Sequence, residues 1–217
     1  MKAALSEKEG LASLVLRLRA EGISDNRLVA AVEQTPRSMF TPPQYMDLAY
    51  SPRSIPIECG EYMEGADLSL RLLHNLEIEA GQRVLEVGTG SGFTAAALSR
   101  IVERVVTVDR YRTLSQLAAQ RFSRLGFSNI VVETGDGQER SPQEGTFDRI
   151  LVGAAFQEMP RLFAERLVSG GKMIAAIGEA DQPQTVVRLT KIGSRFEKED
   201  LFSVRFQPLL KGRAAVL

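Results

Sequence analysis

The stretch Val84-Leu-Glu-Val-Gly-Thr-Gly-Ser-Gly-Phe93 constrains this 217-residue chain more than any other. Val84, Leu85 and Val87 make a short apolar strand pattern with Glu86 near its end, glycines follow at 88, 90 and 92, and an alanine-rich helical pattern starts at Phe93. The order is strand, tight loop, helix. Glycines at alternate positions permit positive φ and close approach of a ligand, and the free N–H groups of the following helix face the same place. A dinucleotide fingerprint places its third glycine one position later, where this chain has Phe93, and needs no carboxylate inside the strand end.

The pattern Glu-x-Gly-x-Gly-x-Gly resembles the first motif of class I methyltransferases. That resemblance implies S-adenosylmethionine as cofactor, whose sulfonium and ammonium are cationic, so a carboxylate at position 86 is electrostatically favourable. With 44% hydrophobic residues the chain can bury one substantial core, and a single α/β domain with a short extension is expected. Lys+Arg and Asp+Glu each number 27, so the global basic field behind non-specific nucleic-acid binding is absent and no nucleic-acid partner is expected. Cys59 alone forms no internal disulfide, and one His with one Cys is too little for a usual zinc site, so no metal is expected. Residues 1–22 are charged and helix-patterned, unlike a secretory leader, and no later run approaches ~18 apolar residues; a cytoplasmic protein without a membrane partner is the expectation. The sequence carries no signal of oligomeric state.

Along the chain, Ser6-Glu-Lys-Glu9 reads as a capping box ahead of a helical stripe of Leu11, Leu14, Val15 and Leu18, with Gly22 as its stop. A second helix from Asp25 carries Leu28, Ala31 and Val32 until Pro36. Five prolines fall within residues 36–56, which predicts no regular structure, yet Met39, Phe40, Tyr45, Met46, Leu48, Tyr50 and Ile55 predict a segment packed on the core, as a cover or as a wall of an acceptor site. Residues 67–76 read as a helix ended by Gly81, with His74 on it as a structural residue lacking a visible partner.

Beyond the glycine loop, a helix is predicted over 93–102 and a strand over 105–108 that ends in Asp109. A carboxylate at the end of the second strand can accept hydrogen bonds from both hydroxyls of a ribose. The apolar face of residues 114–125 predicts a helix stopped by Gly126, and a third strand over 129–133 leads into Gly135-Asp-Gly137, where Asp136 can reach an adenine amino group. Residues 147–152 are nearly continuous in apolar character, as in a strand buried on both faces. Gly153-Ala-Ala155 then leaves room near a methyl group, whereas the Asn/Asp-Pro-Pro-Tyr sequence that grips an exocyclic base amine is missing, which counts against a base methyltransferase. A helix is predicted over 160–167, a turn at Gly170-Gly171, a strand over 172–177, and an edge hairpin from 184–192 and 196–206 around Gly193.

With these pieces placed, the chain resembles the protein-L-isoaspartate O-methyltransferase family over about residues 20 to 212. The stretches that carry it are Gly22-Ile-Ser-Asp25, Pro36-Arg37 with Phe40, Ala49-Tyr50, Ile55-Pro-Ile57, the glycine loop, Gly135-Asp-Gly137, Phe147-Asp148, Ala154-Ala155 with Pro160, Gly170-Gly171 and Val204-Arg-Phe-Gln-Pro-Leu209. The resemblance implies a Rossmann-like α/β fold with a mostly parallel seven-stranded sheet, an antiparallel edge and an N-terminal helical extension. Residues 1–80 are then the extension and acceptor-side loop, and 81–217 the cofactor-binding core, in one structural domain. It also implies cofactor contacts from Glu86, Gly88, Thr89, Gly90, Ser91 and Gly92, from Asp109 with Arg110, and from Asp136 with Gly137. The implied activity is methyl esterification of isoaspartyl carboxylates in proteins or peptides for repair.

The chain departs from the family at one segment. Tyr62, Met63 and Glu64 stand where Thr, Ile and Ser are expected and Ala66 replaces a proline; Arg166 stands for a usual Gln and Ala176 for a proline. Glu64 is thus the family's catalytic position with a changed side chain. An isoaspartyl carboxylate is already ionised, so in-line displacement needs no general base. An ionised Glu64 facing it at ~4 Å would cost about 4 kcal/mol at an effective dielectric of about 20. Protonated or turned to solvent it would not; facing a hydroxyl or amine acceptor it could act as a base. Two alternatives therefore stand beside isoaspartyl repair, methylation of another acceptor and cofactor binding without catalysis, with a nicotinamide dehydrogenase a distant third.

Overall fold

The computed structural model describes residues 6–139 and 145–214, so the outermost residues of both expected regions lie outside it. Helix α1 (Glu7–Ala20) begins on the capping box: Ser6 Oγ accepts from the Glu9 N–H at 3.3 Å, and the Glu9 carboxylate accepts from the Ser6 N–H at 2.9 Å. Leu14 and Leu18 are its buried stripe, and the chain reverses at Gly22, whose φ of +83° suits a residue without Cβ. Helix α2 (Asn26–Glu33) is capped by Asp25 and buries Leu28, Ala31 and Val32.

The proline-rich stretch forms two 3-10 turns, Arg37–Phe40 and Pro43–Leu48, and packs inward as its apolar residues predict. Phe40 is fully buried, edge-on to Phe93 at 5.9 Å between centroids. Strands β1 (Ile55–Pro56) and β2 (Tyr62–Met63) then pair antiparallel as a short clip leading into helix α3 (Ala66–Leu76). Helix α3 stops at Glu77, in the left-handed region at φ +52°, before the predicted stop at Gly81. Arg17 ties α1 to α3 through two bonds to the Asp67 carboxylate, at 2.7 and 2.9 Å. The pair is partly shielded, so Asp67→Asn is expected to cost about 1 kcal/mol, read as a lower urea midpoint at unchanged slope; an unmoved midpoint would remove the pair from the account of how the helices dock.

The main sheet contains β3 (Arg83–Val87), β4 (Arg104–Asp109), β5 (Ile130–Thr134), β6 (Phe147–Phe156), β7 (Leu167–Ile177), β8 (Gln184–Ile192) and β9 (Arg195–Val204), with α4 (Phe93–Ser99) and α5 (Arg112–Arg124) between its early strands. Its order is β5-β4-β3-β6-β7-β8-β9, parallel from β5 to β7 and antiparallel at β8 and β9. This is the expected seven-stranded Rossmann-like sheet with an antiparallel edge. The chain runs outward from β3 to β5 and returns to β6 on the other side of β3, so a crevice opens at the C-terminal ends of β3 and β6, where such sheets bind ligands. One core layer, including Leu73, Val84, Phe93 and Ala118, covers the face of α1 to α5; the other, including Leu85, Val87, Ile150 and Phe163, covers the opposite face.

Two elements correct the sequence expectation. The helix predicted over 160–167 is a 3-10 segment, Arg161–Arg166, that runs directly into β7. Gly170 and Gly171 lie inside that strand, where the pairing shifts from Phe147 opposite Leu167 to Arg149 opposite Lys172. Gly170 has φ +74°, and a Cβ on Gly171 would stand 2.9 Å from the Val168 carbonyl oxygen, so the glycines permit an irregular strand where the pattern reads as a turn. Among the described residues no helix is long and apolar enough to cross a membrane.

Candidate active site

The glycine loop takes the backbone away from β3 with φ of +98° at Gly88, +51° at Gly90 and +88° at Gly92. Gly92 serves packing, since a Cβ there would stand 2.9 Å from the Phe122 ring. Gly88, Thr89, Gly90 and Ser91 border a cavity of about 270 Å³ at the crevice. Asp109, at the end of β4, is buried and fixes this loop: one carboxylate oxygen accepts from the Gly90 N–H and the other from the Tyr111 N–H, each at 2.9 Å. Asp109 and Arg110 both line the cavity, and the Arg110 Nε is buried without a hydrogen-bond partner among the described residues.

Glu86 lies behind the wall. On β3 it shares a sheet face with Val84, beneath the loop, 2% exposed. Thr107 donates to its carboxylate at 2.6 Å, and Thr89 and Thr107 hydroxyls meet at 2.7 Å, so a chain of hydroxyls links the loop to Glu86. Gly137 borders the cavity, and its carbonyl accepts from the buried Arg166 at 2.6 Å. The Asp136 carboxylate points elsewhere, accepting from the Gln138 N–H at 2.8 Å and the Gly212 N–H at 2.6 Å. The structure therefore gathers Gly88, Thr89, Gly90, Ser91, Asp109, Arg110, Gly137 and Glu64 around one space, with Glu86, Gly92 and Asp136 supporting it from outside.

Glu64 follows the β1–β2 clip. Its backbone carbonyl accepts from the fully buried Arg37, whose guanidinium lies 4.3 Å from the Phe93 ring centroid. Its carboxylate reaches the end of β6: Oε1 lies 3.8 Å from the point where a Cβ on Gly153 would stand. The bare Gly153 and small Ala154 leave this corner of the cavity open, as their sequence predicts.

A family model described as protein-L-isoaspartate(D-aspartate) O-methyltransferase matches residues 9–214. This chain belongs to that family. It is 51% identical to the protein-L-isoaspartate O-methyltransferase of Rhizobium meliloti (strain 1021) over 94% of this chain and all of that one. The enzyme of the same name from Maricaulis maris (strain MCS10) is 39% identical over 94% of this chain and 95% of its own. In fold the chain is similar to a Plasmodium falciparum protein-L-isoaspartate O-methyltransferase structure that holds S-adenosyl-L-homocysteine, with TM-score 0.78, 24% identity and coverage of 92% and 97%.

The electrostatics of this isoaspartyl methyltransferase family member centre on four carboxylates. Burial pushes the Glu86 pKa up to about 8, against the Thr107 hydrogen bond, and Glu64 and Asp109 push the same way. Burial also raises Asp109 in spite of its backbone N–H partners. Glu61 is raised by burial and by Asp109, and Glu64 by burial with a smaller contribution from Glu61. Arg37 and Arg110 are the cations facing this group, and neither reverses the trend. Burial of this kind favours protonated acids, and a cationic ligand favours their ionised forms.

Sequence reading missed Glu61, Tyr111 and the segment Gln207 to Leu210, which line the same cavity. The segment reaches it because the Ala155 N–H donates to the Gln207 carbonyl and the Leu209 N–H to the Ala155 carbonyl, each at 2.8 Å, laying it beside β6. The Gln207 amide then donates to the Glu61 carboxylate. The only signal was that Val204 to Leu209 formed one of the stretches of resemblance, which marked the segment without assigning it a role.

Proposed function

We propose that the protein is an S-adenosylmethionine-dependent protein-L-isoaspartate O-methyltransferase, esterifying isoaspartyl carboxylates in proteins or peptides of the cytoplasm. The observation that carries this is the cavity at the switch point of the sheet, where a glycine loop fixed by Asp109 meets Glu64 and the bare Gly153. The residues fit the cofactor: acids with raised pKa values suit its cationic end, Asp109 has the acceptor capacity for a ribose diol, and the orphaned Arg110 Nε has a donor to spare.

When bound, S-adenosylmethionine supplies an electrophilic methyl group. This chain holds and orients. Gly88 to Ser91 would present backbone to the methionine part, Asp109 the ribose and Gly137 the adenine, with Arg166 steadying Gly137 from behind. Residues 1–80 supply the acceptor side through Tyr62, Met63 and Glu64. The acceptor arrives ionised, so nothing has to remove a proton; the site's task is to hold the oxygen in line and exclude water.

Labelled methyl from S-adenosylmethionine is expected to appear on an isoaspartyl peptide as a base-labile ester and to leave the matching aspartyl peptide unlabelled. Tight S-adenosylhomocysteine binding with no transfer to any isoaspartyl peptide would rule this function out.

A further inference from the structure

We propose that Glu64 works as a neutral carboxylic acid whose O–H donates a hydrogen bond to the isoaspartyl carboxylate, making it the residue that recognises the acceptor. This rests on the functional reading above and deepens it at one side chain.

The geometry leaves Glu64 little choice of position. The β1–β2 pairing sets Met63 opposite Ile55, and Arg37 holds the Glu64 carbonyl, so the backbone is pinned on both sides of the side chain's origin. The carboxylate then reaches toward the open corner over Gly153. The Cβ point of Gly153 lies 3.6 Å from the Val87 carbonyl oxygen, 3.8 Å from Glu64 Oε1 and 3.9 Å from the Gly88 carbonyl oxygen. The three atoms nearest that point are oxygens, so an anion settling there needs one of them to carry a proton, and only the Glu64 carboxyl can. A protonated carboxyl is a donor; a carboxylate is not.

The charges around Glu64 favour the same state. Arg37 faces it from the 3-10 turn, its two terminal nitrogens bonded to the Glu64 carbonyl and to Ser69 and its plane on the face of Phe93, while its Nε is buried without a partner among the described residues. Glu61 faces it from the start of the clip, and Glu86 from β3 beneath; Asp109, Arg110 and Tyr111 line the cavity from the end of β4. Burial raises the Glu64 pKa most, Glu61 adds to it, and the residue's own N–H and Arg37 only partly offset this. The cationic end of a bound cofactor favours the ionised form of Glu64; the anionic acceptor offsets that charge and favours the protonated form, because like charges at contact disfavour two ionised carboxylates.

The proton stays on Glu64 throughout. The bond between sulfur and the methyl carbon breaks as one isoaspartyl oxygen bonds to that carbon, the electron pair returning to sulfur, while Glu64 holds the other oxygen. Because the acceptor loses its charge on methylation, the bond to Glu64 is strongest before transfer and weaker to the ester. Glu64 therefore acts on acceptor binding, and its effect falls on KM more than on kcat.

The test is the pH dependence of isoaspartyl peptide methylation, at saturating S-adenosylmethionine, from about pH 5.5 to 9. For the unmodified protein, kcat/KM is expected to fall about tenfold per pH unit once pH exceeds the Glu64 pKa, through a rising KM. Glu64→Ala should raise KM by about tenfold to a hundredfold at the acid end. Glu64→Gln, which keeps a donor and cannot ionise, should recover most of that loss and abolish the alkaline decline. A decline persisting in Glu64→Gln would belong to Glu86 or Asp109 and overturn the proposal. A kcat/KM that rises with pH and vanishes in Glu64→Gln would make Glu64 a base and overturn it too. Calorimetric binding of S-adenosylhomocysteine separates these results from misfolding. If all forms bind it and none methylates the peptide at any pH, the functional reading itself is wrong and this inference falls with it.

Discussion

Glu86→Gln is expected to stabilise the ligand-free protein at pH 8 by several kcal/mol while weakening its binding of S-adenosylmethionine about tenfold. Glu86 is 2% exposed, and burial, opposed only by the Thr107 hydrogen bond, lifts its pKa from 4.5 to about 8. A group whose folded pKa is raised contributes stability that is fully present below the unfolded pKa and is lost as pH rises through the folded one. The window here runs from pH 4.5 to about 8. A tenfold difference in proton affinity between the folded and unfolded chain corresponds to about 1.4 kcal/mol, so this single carboxyl accounts for about 3–5 kcal/mol across the window. Glutamine keeps the oxygen that accepts from Thr107 and has nothing to ionise, so the loss disappears with the charge.

The measurement is urea unfolding of both proteins across that window. The two stability curves should converge at the acid end and separate steadily toward pH 8, Glu86→Gln lying higher. Glu61, Glu64 and Asp109 remain in both proteins, so their own slopes cancel in the comparison apart from the part that Glu64 and Asp109 owe to their coupling with Glu86. Parallel curves would remove Glu86 from the account of the site. The opposite sign for binding follows from the same burial. A cationic ligand gains from an ionised carboxyl in a low-dielectric setting, and glutamine offers only a dipole. Proton release on binding, measured in buffers of different ionisation enthalpy, should be larger for S-adenosylmethionine than for S-adenosylhomocysteine, which lacks the sulfonium charge. In Glu86→Gln that difference should shrink. Both outcomes together would mean that the chain gives up stability at this position for ligand binding.

The sequence made the glycine-loop side of the cavity legible because that side is local. Strand, glycine loop and helix are consecutive in the chain, and Asp109 ends the next strand, so spacing alone assigns their places. Glu86 was legible as an acid near the loop but not as one behind the wall; its face depends on strand alternation relative to two cores that only the packed sheet defines. The direction of the Asp136 side chain was hidden for a similar reason. Its tripeptide ends the right strand, yet its carboxylate has backbone partners at Gln138 and Gly212, the second 76 residues away. The cavity wall facing the glycine loop was least legible. Glu61, Tyr111 and Gln207 come from three separated elements; Glu61 and Tyr111 interact across the cavity, and Gln207 joins them because residues after β9 fold back along β6. The irregular entry to β7 was hidden as well, since two adjacent glycines signal a turn unless the pairing of Arg149 with Lys172 is known.

Asp109→Ala is expected to weaken cofactor binding by about a hundredfold or more, with Asp109→Asn intermediate. Two effects combine. The carboxylate can accept from both ribose hydroxyls, and charge-assisted bonds of that kind are worth about 1.5–3 kcal/mol each. The same carboxylate holds the Gly90 and Tyr111 N–H groups at 2.9 Å, so its removal also frees the glycine loop that shapes the cavity. Asparagine keeps one acceptor oxygen and can satisfy one of these N–H groups, hence the graded loss. Calorimetric titration with S-adenosylhomocysteine and with its 2′-deoxy analogue separates the two effects. If Asp109 binds the ribose, the unmodified protein should prefer the intact sugar by about tenfold, and Asp109→Ala should bind both ligands equally weakly. If instead Asp109→Ala loses affinity but keeps that preference, Asp109 shapes the loop and another group reads the hydroxyls. The orphaned Nε of Arg110, next in the chain and on the same cavity wall, is then the donor to test.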